Sequence, residues 1–266
     1  MSDLVAELAD LAARVRARRP LIHYVPNWVT ANDVANALLA FGASPIMAVA
    51  SDEVADIPSD ALAINLGTPT PERMLAAEVA GRTAAERNIP IVLDPVGIGA
   101  TPWRLTHTHR LLSAVPMTIL RCNAGEASAL LGDSGGAHGV DAVATGRDPG
   151  ALARSLARRF GCVAAVTGPV DITSDGDRTV SIASGTPMLG AITGTGCMVT
   201  GLVAACAVLT DDPLLAAGAA LLAFGVAGEV AARFATGPGS LRVALLDALY
   251  TLDETTYRRY GKARWS

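Results

Sequence analysis

The sequence predicts an α/β fold around a mostly parallel central sheet, on three observations. Short apolar runs at 61–66, 91–93, 117–120 and 162–166 alternate with longer stretches of helical character. Several of these runs lead into side chains with chemistry, Asp94, Arg121 and Thr167, at the carboxyl ends where open α/β sheets gather ligands. Hydrophobic residues reach 51% and charged residues only 17% of the 266, ample for a buried core and for apolar surface hidden in an oligomer. No composition shift marks a linker and no repeat appears, so residues 1–266 are expected to form one domain.

The first twenty residues read as a surface helix. Leu4, Leu8, Leu11 and Val15 share one face, and the acids come early and the arginines late, the reverse of a signal peptide. Thr30 is an expected N-cap for a helix that Gly42 ends. Asn32 and Asn36 lie one turn apart on that helix, and Asn27 sits in the loop before it. Three amides so grouped either read a small polar heterocycle or serve as caps and loop bonds. A strand is expected over 44–50, with Met47 near its end.

The run 61–66 ends in NLGT and precedes a helix over 71–88. Asp94 follows the strand 91–93; there an acid can hold Mg²⁺ directly or through water, or cap the next helix. Thr101 and Pro102 read as the cap and first turn of a helix through Val115. In RCNAGE, Arg121 and Glu126 stand either as a phosphate ligand and a Mg²⁺ ligand or as an ion pair. Residues 132–150 form a glycine-rich loop with a short helix near Val140. A helix over 151–160, a strand over 162–166 and a hairpin turning at Asp175-Gly176 come next. Two apolar helices (196–210 and 213–228) and a last one over 241–252 complete the chain.

Gly194-Thr195-Gly196 opens directly into the first apolar helix, with Cys197 just past the turn. Free N–H groups and the positive end of a helix dipole suit an anion there, although a plain tight turn has the same composition. Cys162 and Cys206 sit in apolar surroundings as small buried hydrophobes, and no cysteine pair has metal-ligand spacing. His107 and His109 are expected to face solvent, His138 lies in the glycine-rich loop, and His23 stands near the asparagine group. A net charge of −4 without a basic run argues against nucleic acid. Both apolar runs fall short of the roughly 20 residues of a membrane span, so no membrane partner and a soluble cytoplasmic protein are expected.

NWVTANDVANALLAFGASPIMA, LDPVGIGAT, RCNAGE, Thr167-Gly168, GTGCM and GPGSLRVALLDALY, in this order, resemble the hydroxyethylthiazole kinases of the ribokinase-like superfamily over residues 21–252. The resemblance implies a three-layer α/β/α fold and ATP- and Mg²⁺-dependent phosphorylation of 4-methyl-5-(2-hydroxyethyl)thiazole in thiamine salvage. It implies that Met47 and Gly194 contact the thiazole with help from Asn27. Arg121 and Thr167 would bind ATP phosphates, Gly196 would belong to an anion hole over them, and Asp94 and Glu126 would organise Mg²⁺ through waters. It also implies a homotrimer with active sites at subunit boundaries.

Cys197 stands where related sugar and vitamin kinases carry an aspartate as base. A thiol at a helix N-terminus is expected to be partly thiolate, serving as a weak base or a positioning group. One residue departs from the family pattern: Cys122 replaces the glycine of RGN, and either disturbs the nucleotide or points into the core. The rival readings are a pyrimidine or pyridoxal kinase, which resemble GTGD instead of GTGC, and a non-catalytic regulator on the same fold.

Overall fold

Alternation along the strands decides which residues meet which layer. A computed structural model describes residues 3–132 and 148–266; His138 and the helix expected near Val140 lie outside them. The first half of the chain contributes α1 (Asp3–Arg18), β1 (Leu21–Val25), α2 (Ala31–Phe41), β2 (Ser44–Ile46), β3 (Ala61–Asn65), α3 (Pro71–Glu86), β4 (Ile91–Asp94), α4 (Pro102–Ala114), β5 (Ile119–Asn123) and α5 (Ala124–Leu131). There follow α6 (Pro149–Phe160), β6 (Val163–Thr167), β7 (Asp171–Ser174), β8 (Thr179–Ile182), α7 (Thr195–Ala207), α8 (Pro213–Ala232), α9 (Pro238–Thr251), α10 (Glu254–Tyr260) and β9 (Ala263–Trp265).

The strands form one sheet in the order β2-β1-β3-β4-β5-β6-β7-β8-β9. The first six run parallel and the last three pair antiparallel. From β1 the chain leaves first to one side, for β2, and then to the other, for β3. The carboxyl ends of β1 and β3 therefore flank a topological switch point.

Successive strand side chains point to opposite faces. Ile22, Tyr24, Ala61, Ala63, Val92, Ile119, Val163 and Ala165 pack in a core shared with α1, α2, α7, α8 and α9. Leu62, Ile64, Ile91, Leu93, Leu120, Cys122, Ala164 and Val166 pack on α3, α4, α5 and α6. This is the three-layer α/β/α arrangement. Continuing the first parity to the strand tips puts Asn65, Asp94, Arg121 and Thr167 on the α7 side of the sheet.

Several elements follow the expectation closely. The Thr101 hydroxyl accepts the Arg104 N–H at 3.2 Å with Pro102 in the first turn, and Gly42 ends α2 in the left-handed region at φ 105°. Cys162 and Cys206 are buried in the two cores. Other elements differ. The run LIHYV, too short between Pro20 and Pro26 to display a period, is the buried strand β1. The strand expected over 44–50 ends at Ile46, and α10 with the edge strand β9 adds a tail beyond the expected last helix. His107 and His109 are half-buried, His107 against Trp103 at 4.1 Å between ring centroids.

The expectation that both apolar helices are too short for a membrane is corrected for α8. That helix spans 20 residues and by length and hydropathy matches a membrane span. Its residues are instead packed inside the protein, against α1, α7, α9 and the sheet, with 83% of its most apolar window buried.

Candidate active site

Four strand tips supply the floor. Asp94 is fully buried at the end of β4, and its Oδ2 accepts from Asn65 Nδ2 at 2.9 Å, Thr200 Oγ1 at 2.8 Å and Arg121 Nη1 at 3.4 Å. With Oδ2 so engaged, Oδ1 is buried without a hydrogen-bond partner among the described residues. Arg121 also donates from Nη2 to Thr167 Oγ1 at 2.6 Å, and that hydroxyl donates to the Cys122 carbonyl at 3.3 Å. Burial pushes the Asp94 carboxyl up, against the pull of the Arg121 charge and the Thr200 hydroxyl. Burial alone would lower Arg121, but Asp94 and Glu126 outweigh it and hold the guanidinium charged.

The roof is the N-terminus of α7. Its N-cap is Gly194, and no side chain caps the first turn, so backbone N–H groups there stay available. Both glycines of the turn have steric reasons. Gly194 adopts φ +88°, and a Cβ on it would come within 2.5 Å of Thr30 Cγ2. A Cβ on Gly196 would come within 2.6 Å of Arg121 Nη1, so the bare backbone is what lets the guanidinium lie under the helix.

At the other end, Asn27 is buried and directed. Its Oδ1 accepts the N–H groups of Val29 and Thr30, at 3.0 and 3.1 Å, and its Nδ2 donates to Asn65 Oδ1 at 2.8 Å and to Cys197 Sγ at 3.5 Å. Tyr24, fully buried, donates its hydroxyl to the Cys197 carbonyl at 2.9 Å. Asn32 and Asn36 bond each other at 3.0 Å on the exposed face of α2, away from this cluster. Thr30 makes no side-chain cap bond to α2, and among the described residues its buried hydroxyl has no hydrogen-bond partner. Met47 is half-buried against the same core as Cys197. His23 points to the opposite sheet face and binds the Ala48 carbonyl at 3.1 Å, anchoring the segment that carries Met47.

The expected thiolate at Cys197 is corrected here. Burial, followed by the nearby Asp94 carboxylate, pushes the thiol up, and the Thr30, Arg121 and Asn65 contributions do not reverse it. A helix N-terminus lowers a thiol's pKa where water reaches it; at 7% exposure desolvation wins.

Glu126 does not pair with Arg121, whose carboxylate partner is Asp94. It closes a capping box instead, accepting the Asn123 N–H and the Gly97 N–H at 2.8 Å each. Burial and the Asp94 charge raise it to about 7. Among the described residues no group of three His, Cys, Asp or Glu forms a closed metal cage. Two nearby carboxylates, one with a vacant buried oxygen, instead fit the sparse protein donor set of Mg²⁺ bound with substrate phosphates.

The hydroxyethylthiazole kinase family model matches residues 12–255. A hydroxyethylthiazole kinase of Herpetosiphon aurantiacus is 50% identical over 249 residues, covering 94% of this chain and 92% of the relative. The chain belongs to the hydroxyethylthiazole kinase family. A second such kinase, of Desulforudis audaxviator, is 44% identical over 254 residues, 95% of this chain and 93% of the relative. The solved structure of hydroxyethylthiazole kinase protein from Pyrococcus horikoshii OT3 has a TM-score of 0.90 at 42% identity and covers 97% of this chain and 98% of that one. Bacillus subtilis pyridoxal kinase, solved with ADP, has a TM-score of 0.60 at 18% identity over 78% of this chain and 90% of that one, a likeness of fold alone. The fold is thus ribokinase-like, and the family is one of phosphotransferases.

Within this hydroxyethylthiazole kinase family member, Cys122 points into the core opposite the site, packed with Leu120 and Val166. Sequence reasoning missed Tyr24, Asn65, Thr200 and Arg104. Arg104 joins the loops after β3 and β4 by donating to the carbonyls of Leu66, Val96 and Gly67 at 3.0, 2.9 and 3.0 Å. Asn65 alone carried a signal, as the polar residue ending a buried run in NLGT.

Two outcomes follow from this geometry. Gly196→Ala drives a Cβ into the Arg121 guanidinium, so it should raise the KM for nucleotide at least about 10-fold, the scale of one charge-assisted bond lost. Its melting temperature should fall as well, because the displaced guanidinium leaves the buried Asp94 carboxylate without its cation. For Glu126, the folded carboxyl binds its proton more tightly than the unfolded one, whose ordinary value is 4.5. Stability of the ligand-free protein should therefore fall as pH rises from about 4.5 to about 7, by about 1–3 kcal/mol. Glu126→Gln loses one backbone hydrogen bond at every pH, but urea unfolding across that range should give a flatter slope.

Proposed function

We propose that this protein transfers the γ-phosphoryl group of ATP to the hydroxyl of 4-methyl-5-(2-hydroxyethyl)thiazole, as one kinase domain acting in the cytoplasm in thiamine salvage. The observation that carries the reading is the one-sided array of Asp94, Arg121 and Thr167 beneath the uncapped start of α7, with Asn27 and Cys197 at its far end. In this reading Arg121, Thr167 and the Gly196 turn bind nucleotide phosphates, while Asn27, Met47 and Gly194 contact the thiazole.

Phosphoryl transfer passes through a loose, charge-rich transition state, so positioning and charge neutralisation supply most of the catalysis. The Arg121 guanidinium and the first N–H groups of α7 stabilise negative charge on the transferring oxygens. Asp94 and Glu126 would hold Mg²⁺, which would supply neutralisation of phosphate charge. Cys197, a neutral thiol that accepts the Asn27 amide, orients the acceptor hydroxyl; a late proton loss needs no strong base.

The test is a coupled ADP-release assay with Mg²⁺–ATP and, in parallel, hydroxyethylthiazole, hydroxymethylpyrimidine and pyridoxal. Turnover with the thiazole alone is expected; turnover with either other acceptor instead would overturn the assignment. Cys197→Ala should retain kcat within about 10-fold of the parent, whereas loss of a general base costs about 10²–10⁴-fold.

We further propose a homotrimer with the site at the subunit boundary. Val29, Asn32, Asn36 and Leu39 form one stripe at the start and outer face of α2, and the exposed Val243 and Tyr250 of the neighbouring α9 extend the apolar surface. Leu39→Glu with Val243→Glu should yield a monomer by light scattering and raise the KM for thiazole more than that for ATP. An unchanged oligomer would remove this face from the contact.

A further inference from the structure

Asn65 uses its entire hydrogen-bonding capacity inside the site. A primary amide offers two N–H donors and one oxygen with two acceptor positions. Nδ2 donates to Asp94 Oδ2 at 2.9 Å and to the Tyr24 hydroxyl at 3.3 Å. Oδ1 accepts from Asn27 Nδ2 at 2.8 Å and from the Gly67 N–H at 3.0 Å. Two of these partners fix which end of the amide is which. A backbone N–H can only donate, and an ionised carboxylate can only accept, so the Asn65 amide cannot be reversed.

The next residue has the matching polarity. Asn27 Oδ1 already takes the N–H groups of Val29 and Thr30, so Nδ2 is the end that meets Asn65 and Cys197 Sγ. Gly67 makes the approach possible, because a Cβ on it would come within 2.6 Å of Asn27 Nδ2. The result is a directed chain from the Asp94 carboxylate through two amides to the thiol. Both amides of this chain use every donor and acceptor they have, so rotation of either leaves an orphaned group.

We propose that Asn65 is a positioning residue that locks the acceptor half of the site, Asn27 and Cys197, to the phosphoryl half, Asp94 and Arg121. Its Oδ1 anchors the Asn27 amide, whose orientation the Val29 and Thr30 N–H groups set, and its Nδ2 helps occupy Asp94 Oδ2, leaving Oδ1 as the carboxylate's open position. This rests on the proposed contact of Asn27 with the thiazole.

Three substitutions in the full chain separate the halves. Thiazole affinity is measured by calorimetry without nucleotide or metal, kcat by steady-state turnover, and folding by melting. Thr200→Val removes the other neutral donor to Asp94 and should lower kcat at least about 5-fold with thiazole affinity within about 2-fold of the parent. Asn27→Ala should weaken thiazole binding about 5- to 10-fold, the scale of one lost hydrogen bond. Asn65→Leu should do both, and should add nothing to the thiazole defect once Asn27 is replaced. Asn65→Ser serves the same comparison if the leucine variant does not fold.

If Asn27→Ala leaves thiazole affinity unchanged, the reading of Asn27 fails. If Asn27→Ala weakens it while the Asn65 variants add fully on top, or lower only the melting temperature, the positioning role of Asn65 is overturned.

Discussion

The buried pair of Asp94 and Arg121 sets the conditions for everything around the strand tips. Two charges removed from water cost several kcal/mol each, and their attraction returns that only with good geometry and further hydrogen bonds. Here the direct contact is long, 3.4 Å, and Asn65 and Thr200 supply the additional donors to the carboxylate. An apolar filling of the same space would serve stability at least as well. The pair makes sense as a receiver of charge: Asp94 balances one positive group, while the start of α7 adds the partial positive charge of a helix terminus. With Glu126 also within reach of Arg121 the charges of the side chains nearly cancel, and what the site offers an anion is the guanidinium together with the free N–H groups of that terminus.

Residue parity made much of this legible from sequence. A buried strand ending in Asp94, another leading into Arg121 and a third ending in Thr167 announce a parallel sheet with chemistry at its carboxyl edge. The glycine turn before an apolar helix announces the opposing wall. What stayed hidden was whatever depended on partners distant in sequence. Tyr24 lies in a strand too short to display a period, and Thr200 sits inside a uniformly apolar helix where a hydroxyl reads as a small core residue. The α8 length argument failed for a related reason: packing, which sequence length does not report, decides between a core helix and a span.

Cys197 illustrates how two correct principles compete. A helix N-terminus favours a thiolate, and burial disfavours any charge. The sequence displays the first influence, through the glycine turn, but gives no measure of the second. In the folded chain Tyr24, Asn27, Thr30 and Asn65 enclose the first turn of α7, and desolvation outweighs the dipole. A thiol that remains neutral is a poor base but a good neighbour for a hydroxyl, since sulfur neither competes for Mg²⁺ nor adds a second negative charge beside Asp94.

The same parity explains why Cys122 is compatible with the phosphate site proposed one residue away. Arg121 and Cys122 share a strand, so their side chains leave on opposite faces. The guanidinium goes under α7, and the sulfur goes among Leu120, Leu130 and Val166. What the cysteine replaces is a hydrogen in the opposite core, which leaves the side-chain surface offered to a nucleotide unchanged. The backbone is the only route left for an effect, and there the Cys122 carbonyl already accepts the Thr167 hydroxyl as any residue's carbonyl could. The departure from the family pattern is therefore a packing change on one face of a sheet whose chemistry lies on the other.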